Sequence, residues 1–401
     1  MRKAGGVTVD RTAAWLSAPD SLASPAAPAF PAAPDSLASP ASAVEVRADS
    51  VRKLSVTVIV PAFNEELGLP DTLDSLLRQT VRPDRVIVVD DCSTDRTGDI
   101  ARRYGVEVLR PSRNLGSKAK AQNYALPSCD TELVLPVDAD TALADDYIER
   151  IVVPFRDPAV VVAAGNVQTK ITKSMTERGR SIEYLFGFHF YRPIQNLANS
   201  PVVCSGCCAA FRRRELVEFG GFPERTIVED MDYTWSQQIA GRKAVYVGGA
   251  TAWAADPSTV YYLRKQVWRW QAGFFQNVRI HWRGLMRHKP VLGMWIGLAL
   301  WDILTAPAWW VSPVVMPLFF HMSIGEVIFW WIGLESVLLL PPLMYACVRR
   351  RLNPAVVLCN VPFVYFNKLI NTYYAWKAIV VELVLVPLGI SRGLVVYEKG
   401  R

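Results

Sequence analysis

From Leu54 onward, short continuous apolar runs alternate with stretches whose apolar residues recur at helical spacing. LSVTVIVPA (54–62), RVIVVDD (85–91), a short run at 106–109 and TELVLPVD (131–138) read as buried parallel strands. Between them, 66–79 places Leu69, Leu73, Leu76 and Leu77 on one side of a helix. The segment 94–104 reads as a second helix, with Thr94 as its cap and Asp95 in its first turn, and 116–126 as a third. The resulting β-α-β-α-β-α-β rhythm predicts an α/β fold, a doubly wound parallel sheet. Ligands of such sheets sit beyond the carboxyl ends of the strands, where Asp90, Asp91 and Asp138 fall. VVVAAGNV (160–167) adds a strand, and 178–199 reads as a helix in which Tyr184, Phe188 and Tyr191 recur.

The pattern then changes. Over 259–289, Leu263, Val267, Trp270, Phe274, Val278, Trp282 and Leu285 recur every three or four positions, with Arg264, Lys265, Arg279 and Arg283 mostly elsewhere. This predicts a basic amphipathic region at a membrane interface, open to a break near Gln271–Gly273. Residues 291–320 and 327–348 are each long enough to span a bilayer. A third apolar block, 354–390, is interrupted by Asn360, Lys368, Asn371 and Lys377 and is taken as two crossings, with a re-entrant segment in 354–372 as the rival. Arg283, Arg287, Lys289, Arg349–Arg351, Arg392 and Lys399 flank the spans and place those ends in the cytoplasm. The expectation is four spans. Asp302, Glu335 and Glu382 fall inside them, lining a polar passage or sitting at helix interfaces.

Residues 1–50 are rich in Ala, Pro and Ser and repeat APDSLASPA at 18–26 and 33–41. Such a tail builds no core and is expected to be disordered, and it lacks the apolar run of a secretory signal. The expected organisation is therefore this tail, a catalytic domain at 51–258, interface helices at 259–290, a transmembrane region at 291–392 and a cytoplasmic tail at 393–401.

Apolar residues make up 51% of the 401 and charged ones 20%, an unusual balance for a wholly soluble protein. The net charge of +7 comes without a basic tract interleaved with aromatics, so no nucleic-acid partner is expected. Cys204, Cys207 and Cys208 have no second Cys or His cluster nearby, which leaves both a zinc site and a disulfide framework unsupported. A metal here would be held by carboxylates, which favours Mg2+ or Mn2+. No GxGxxG or GxxxxGK[ST] follows the first strand, which disfavours dinucleotide oxidoreductases and P-loop ATPases.

Asp138 and Asp140, at i and i+2 after a strand, can face one divalent ion that neutralises a pyrophosphate, or can cap a turn. Asp90 and Asp91 suit a nucleobase or ribose, or the start of a turn. Lys118 and Lys120 suit phosphates or solvent. In Glu229-Asp230, before an aromatic-rich helix, a carboxylate can act as general base, although a helix N-terminus also favours acids for its own sake. Gln266, Arg269 and Trp270 share one helical face, where Arg can clamp a diphosphate and Trp can stack on a sugar or anchor at lipid.

Taken in order, VIVPAFNE (58–65), VVDDCSTDRT (88–97), NLGSKAKAQNYAL (114–126), VDAD (137–140), SGCCAAFRR (205–213), GGFPERTIVEDMDYTW (220–235) and QVWRW (266–270) resemble membrane-attached inverting family 2 glycosyltransferases. These include cellulose, chitin, hyaluronan and poly-N-acetylglucosamine synthases. The resemblance covers about 54–285 and implies a GT-A-type nucleotide-sugar-binding domain. It implies that Asp91, with Asp90, binds the uridine of UDP, and that Asp138 contacts the sugar-diphosphate while Asp140 binds Mg2+ or Mn2+. Lys118, Gln266 and Arg269 are implied on the UDP-sugar, Trp270 and Glu229 on the acceptor, and Asp230 as catalytic base. Val228 stands where the family motif has Thr.

The implied reaction joins a sugar from UDP-GlcNAc or UDP-Glc through a β bond, as a processive polysaccharide synthase. The alternative is single transfer to a membrane lipid. The implied partners are a UDP-sugar donor, a glycan or lipid acceptor, the inner-membrane bilayer and a membrane or export subunit. A degenerate transferase domain serving as transporter or scaffold is disfavoured by acids intact at every expected position. No cyclic-di-GMP-binding PilZ-like domain is expected after the spans. GNV (165–167) and the EDMD context lean toward the N-acetylglucosamine-polymer branch.

Overall fold

The computed structural model describes residues 54–392, so the tails expected at 1–50 and 393–401 lie outside the described residues. The first half runs β1 (Val56–Ala62), α1 (Leu69–Leu77), β2 (Arg85–Asp90), α2 (Thr97–Arg103), β3 (Glu107–Leu109), α3 (Lys118–Ala125) and β4 (Leu133–Pro136). This is the alternation expected from the apolar runs. Helix α2 begins at Thr97 rather than near Thr94. Asp95 Oδ1 accepts from Thr97 N (2.9 Å), while Thr94 N donates to Asn64 Oδ1 (2.8 Å), so Thr94 serves the loop after β1 instead of capping the helix.

Then follow β5 (Thr141–Leu143), α4 (Tyr147–Ile151), β6 (Val160–Thr169), α5 (Met175–Phe186), α6 (Arg192–Leu197), β7 (Ala210–Arg212), α7 (Arg213–Glu218), α8 (Glu229–Ile239) and β8 (Lys243–Ala254). The strands form one eight-stranded sheet, ordered β3-β2-β1-β4-β7-β6-β8-β5. β3, β2, β1 and β4 are parallel, but β7 runs antiparallel to both β4 and β6, and β5 antiparallel to β8. The all-parallel expectation is therefore corrected to a mixed sheet.

The inner strands are apolar on both faces because both are covered. Val58 and Val60 of β1 pack with Leu69, Leu73 and Leu76 of α1, while Ile59 packs on the opposite face with Ala119, Ala121 and Ala125 of α3. At β6·β8, the partner of Gly165 is Val247 and that of Asn166 is Thr251, so residues 248–250 bulge out of register. Gly165 must lack a side chain there, since a Cβ would lie 2.5 Å from Ala250 O and Tyr147 Oη.

Helix α5 starts in a capping box, with Glu177 N donating to Ser174 Oγ (3.2 Å) and Ser174 N to Glu177 Oε2 (2.8 Å). A π-helical turn at Gly187–Tyr191 joins it to α6, so the stretch expected to be helical over 178–199 is helical with one wider turn inside it. α9 (Val260–His288) is continuous through Gln271–Gly273. Gly273 lies against Ile227 and Val228, where a Cβ has no room, so the glycine marks a helix contact rather than a break.

α10 (Pro290–Phe320) and α11 (Ile324–Arg350) are long and apolar enough to cross a membrane, and little of either is buried in the protein. The block expected to hold two crossings is instead one helix, α12 (Pro354–Ala378), continued by a π-helical turn at Ile379–Leu385. Among the described residues two helices meet the length and composition of a span, against the four expected. α12 is tied to the sheet-bearing half: Asn367 Nδ2 donates to Thr176 O (3.1 Å).

Candidate active site

Parallel strands β1, β2 and β4 end on one side of the sheet, and α3, α8 and α9 close over that side. One cavity of about 2260 Å³ opens there. Small-molecule sites usually measure about 300–1,000 Å³, so this space admits more than one ligand moiety. Asp91, Lys118, Asp138, Asp140, Glu229, Asp230, Gln266, Arg269 and Trp270 all line it.

The adjacent acids at the end of β2 part ways, because successive residues of an extended chain point to opposite sides. Asp91 lines the cavity; its Oδ1 accepts from Leu115 N (2.7 Å), and its carbonyl accepts from Asn114 Nδ2 (2.9 Å). Burial raises the Asp91 carboxyl above its ordinary range, partly offset by the Leu115 amide. Asp90 is fully buried, accepts from Ser93 N (3.0 Å) and is ion-paired with Arg110. It is outside the cavity lining and braces the loop that carries Asp91.

Lys118, in the first turn of α3, reaches across to the loop before β7. It donates to Gly206 O (2.9 Å) and pairs with Asp138. Burial works against its charge, but Asp138 and Glu229 outweigh it and raise its pKa. Asp138 N donates to Cys207 O (3.1 Å), fixing the start of the Asp138–Asp140 turn. Asp140 Oδ1 accepts from Thr141 Oγ1 (3.3 Å).

The Asp138–Asp140 donor set is all oxygen, which suits a hard cation. No group of three or more His, Cys, Asp or Glu able to hold a metal occurs among the described residues. Lys118 already neutralises Asp138, so a Mg2+ or Mn2+ ion here would rest on Asp140 and need most of its oxygens from ligand and water, the usual Mg2+ arrangement.

The first turn of α8 presents Glu229 and Asp230. Asp230 Oδ2 accepts from Gly206 N (2.6 Å) and Oδ1 from Met231 N (2.8 Å), so two backbone amides orient the carboxylate. Glu229 is pushed up to about 7, first by burial and then by Asp230 and Asp138, against the opposing pull of Lys118. Asp232 faces the other way. It accepts from Arg225 Nε (2.8 Å) and Nη2 (2.7 Å) and lies 2.8 Å from His281 Nε2 of α9. Burial would raise its pKa, but Arg225 and His281 pull it down to about 2. Asp232 thus clamps α8 to α9 from behind the site.

Two participants escaped the sequence reading. Arg180 of α5 donates from Nη2 to Gln266 Oε1 (3.0 Å) and lies 4.7 Å above the Trp270 ring. Asp256, after β8, accepts from Tyr184 Oη (3.1 Å) and is pushed up to about 6, chiefly by burial. The local signal was a charged ERGR inside an aromatic stretch, but its partners lie some 80 residues away. Of the acids inside apolar helices, Asp302 and Glu335 line the cavity. Glu382 is instead fully buried, accepting from Gln276 Nε2 (3.0 Å).

Residues 57–219 match the family model described as Glycosyl transferase family 2. The chain is 32% identical over 251 residues to an N-acetylglucosaminyltransferase of Bradyrhizobium diazoefficiens, covering 57% of this chain and 50% of that protein. It is 25% identical over 250 residues to a poly-beta-1,6-N-acetyl-D-glucosamine synthase of Staphylococcus epidermidis, covering 61% and 60%. The chain thus spans about half to three fifths of the length of these relatives. A solved structure of a mannosyltransferase from Pyrobaculum calidifontis, in complex with GDP-Man and Mn2+, shares the fold with a TM-score of 0.57 at 22% identity, over 81% of this chain and 90% of that one. Residues 57–219 of this chain, which carry Asp91, Lys118, Asp138 and Asp140, are therefore a glycosyl transferase family 2 domain.

Proposed function

We propose that the protein is a membrane-embedded inverting glycosyltransferase that takes UDP-GlcNAc or UDP-Glc and extends a β-linked polysaccharide from the cytoplasmic face of the inner membrane. The observation that carries this reading is the continuity of the cavity. It joins the acids at the strand ends to Trp309, Trp331, Glu335, Lys368 and Thr372 on α10–α12, so a growing acceptor has room to lead away into the membrane layer. The N-acetylglucosaminyl relatives favour the amino-sugar donor.

In this reading Asp91 accepts hydrogen bonds from the uridine, with Asp90 and Arg110 bracing it. Lys118 and Arg269 face the diphosphate, and Gln266 and Asp138 the donor sugar. A divalent cation at Asp140, when bound, neutralises the leaving diphosphate. Trp270 stacks on the acceptor sugar, and Glu229, ionising near neutrality, exchanges hydrogen bonds with its hydroxyls. Asp230 Oδ2 takes the proton of the attacking hydroxyl while its oxygen bonds the anomeric carbon in line. The bond from that carbon to the diphosphate oxygen breaks, and UDP leaves with the electron pair. One in-line displacement inverts the anomeric centre and needs no protein nucleophile.

The test is to incubate the detergent-purified protein with Mg2+ or Mn2+ and a panel of UDP-sugars, and to size the products by mass spectrometry. A ladder from one donor supports the synthase and names its monomer. One sugar on a lipid replaces it with single transfer. No UDP release with any donor or acceptor overturns the reading. Asp230→Asn is expected to lower UDP release about 100-fold or more while UDP binding persists.

A further inference from the structure

We propose that Arg180 is a positioning residue that sets the acceptor side of the site, by holding Gln266 and Trp270 together and tying both to α12. The inference rests on the proposed function. Arg180 is only 3% exposed, and burying a guanidinium costs stability unless it is paired. Its partners divide into two sets. Toward the site, its planar fork donates to Gln266 Oε1 (3.0 Å) while its face covers the Trp270 ring at 4.7 Å. Gln266 and Trp270 are four residues apart on α9, one turn, and a single guanidinium bridges them. On its other side, Arg180 is ion-paired with Glu183, and its Nε lies 3.8 Å from Asp256 Oδ1; both acids also line the cavity.

The second set leads into the membrane half. Asn371 Nδ2 of α12 donates to Glu183 Oε1 (3.4 Å). Gly179, beside Arg180, is pressed against α12: a Cβ there would lie 2.5 Å from Phe363 O and 2.6 Å from Asn367 Nδ2. α5 and α12 therefore pack directly against each other. Arg180 lines the same cavity as Asp230, Glu335 and Lys368. Arg180 thus touches two cavity-facing side chains of α9 directly and reaches α12 through Glu183.

The test uses the full chain in detergent, with the active donor found above and an oligosaccharide of the same sugar as acceptor, monitored by UDP release. Arg180→Met is expected to raise the acceptor KM about tenfold, the loss of a desolvated cation–π contact, with a smaller change in kcat and UDP binding kept. Arg180→Lys retains a buried cation beside Glu183 and Asp256, and with it the fold, but not the fork. It is expected to raise the acceptor KM about threefold. Combined with Trp270→Leu, which has no aromatic face, the Arg180→Met cost should be less than additive, because both changes remove one contact. Unchanged acceptor KM in Arg180→Lys overturns the inference, as do fully additive costs or a loss confined to kcat. A wild-type protein that releases no UDP counts against the proposed function instead.

Discussion

Gly206→Ala probes the placement of Asp230, the proposed catalytic base, with one added methyl. Gly206 N is 2.6 Å from Asp230 Oδ2, and an alanine Cβ at this position would meet Asp230 at 3.1 Å (Cβ), 3.3 Å (Oδ2) and 3.4 Å (Cγ). Ordinary carbon contacts need about 3.5–4.0 Å, so the two groups must part by roughly half an ångström. Asp230 is held on its other oxygen by Met231 N at 2.8 Å, so the strain falls mainly on the Gly206 bond, which a charged acceptor makes worth about 1.5–3 kcal/mol. Losing half of that, together with in-line alignment, costs about 1.4 kcal/mol, or about tenfold in kcat. The added Cβ meets Asp230 first, while Lys118 bonds the Gly206 carbonyl rather than its α-carbon and Asp91 lies on another loop, so the donor KM should stay within about twofold, by the rule that only transition-state contacts act on kcat. Steady-state UDP release at saturating acceptor measures both, with Asp230→Asn as the floor. Wild-type kcat in Gly206→Ala, beside a dead Asp230→Asn, would refute the claim that the Gly206 amide aims the base. A donor KM raised as much as kcat is lowered would refute the separation of base from donor site.

Asp232→Asn removes a carboxylate held at about 2 between Arg225 and His281. Set against an unfolded value near 3.9, this shift corresponds to about 2.5 kcal/mol. Because the folded pKa is the lower one, this stability is present above pH ~4 and lost as pH falls toward ~2. Thermal unfolding at pH 7 should show a lower Tm in the variant, and equal Tm values would refute the clamp. Glu229 shifts the other way, from about 4.5 to about 7, so its ionisation costs up to about 3 kcal/mol as pH rises through that window. Glu229→Gln is expected to flatten the fall of Tm between pH 5 and pH 8, and an unchanged slope would remove Glu229 as its source.

Local pattern was enough to place the first four strands, because a strand covered on both faces must be apolar throughout and these runs are. It was not enough for β8: KAVYVGGATAWA is broken by Gly248-Gly249, which belong to a bulge defined only by pairing with β6. The mixed sheet was hidden for the same reason. Strand direction depends on how the chain returns, and the three residues of β7 carry no periodicity of their own.

The candidate site divides in the same way. Acids at strand ends and the i, i+3, i+4 spacing of Gln266, Arg269 and Trp270 are properties of neighbouring residues, so the sequence by itself determined that they share a side of the sheet or a face of a helix. Which of Asp90 and Asp91 meets the cavity was decided by Arg110, twenty residues on. That Asp232 turns to His281 while Asp230 turns to Gly206 was decided by α9 and the loop before β7. Arg180 acquired its place from Gln266, 86 residues away, and from α12 beyond it. A buried charge takes its meaning from its partners, and only the folded chain brings those partners within hydrogen-bonding range.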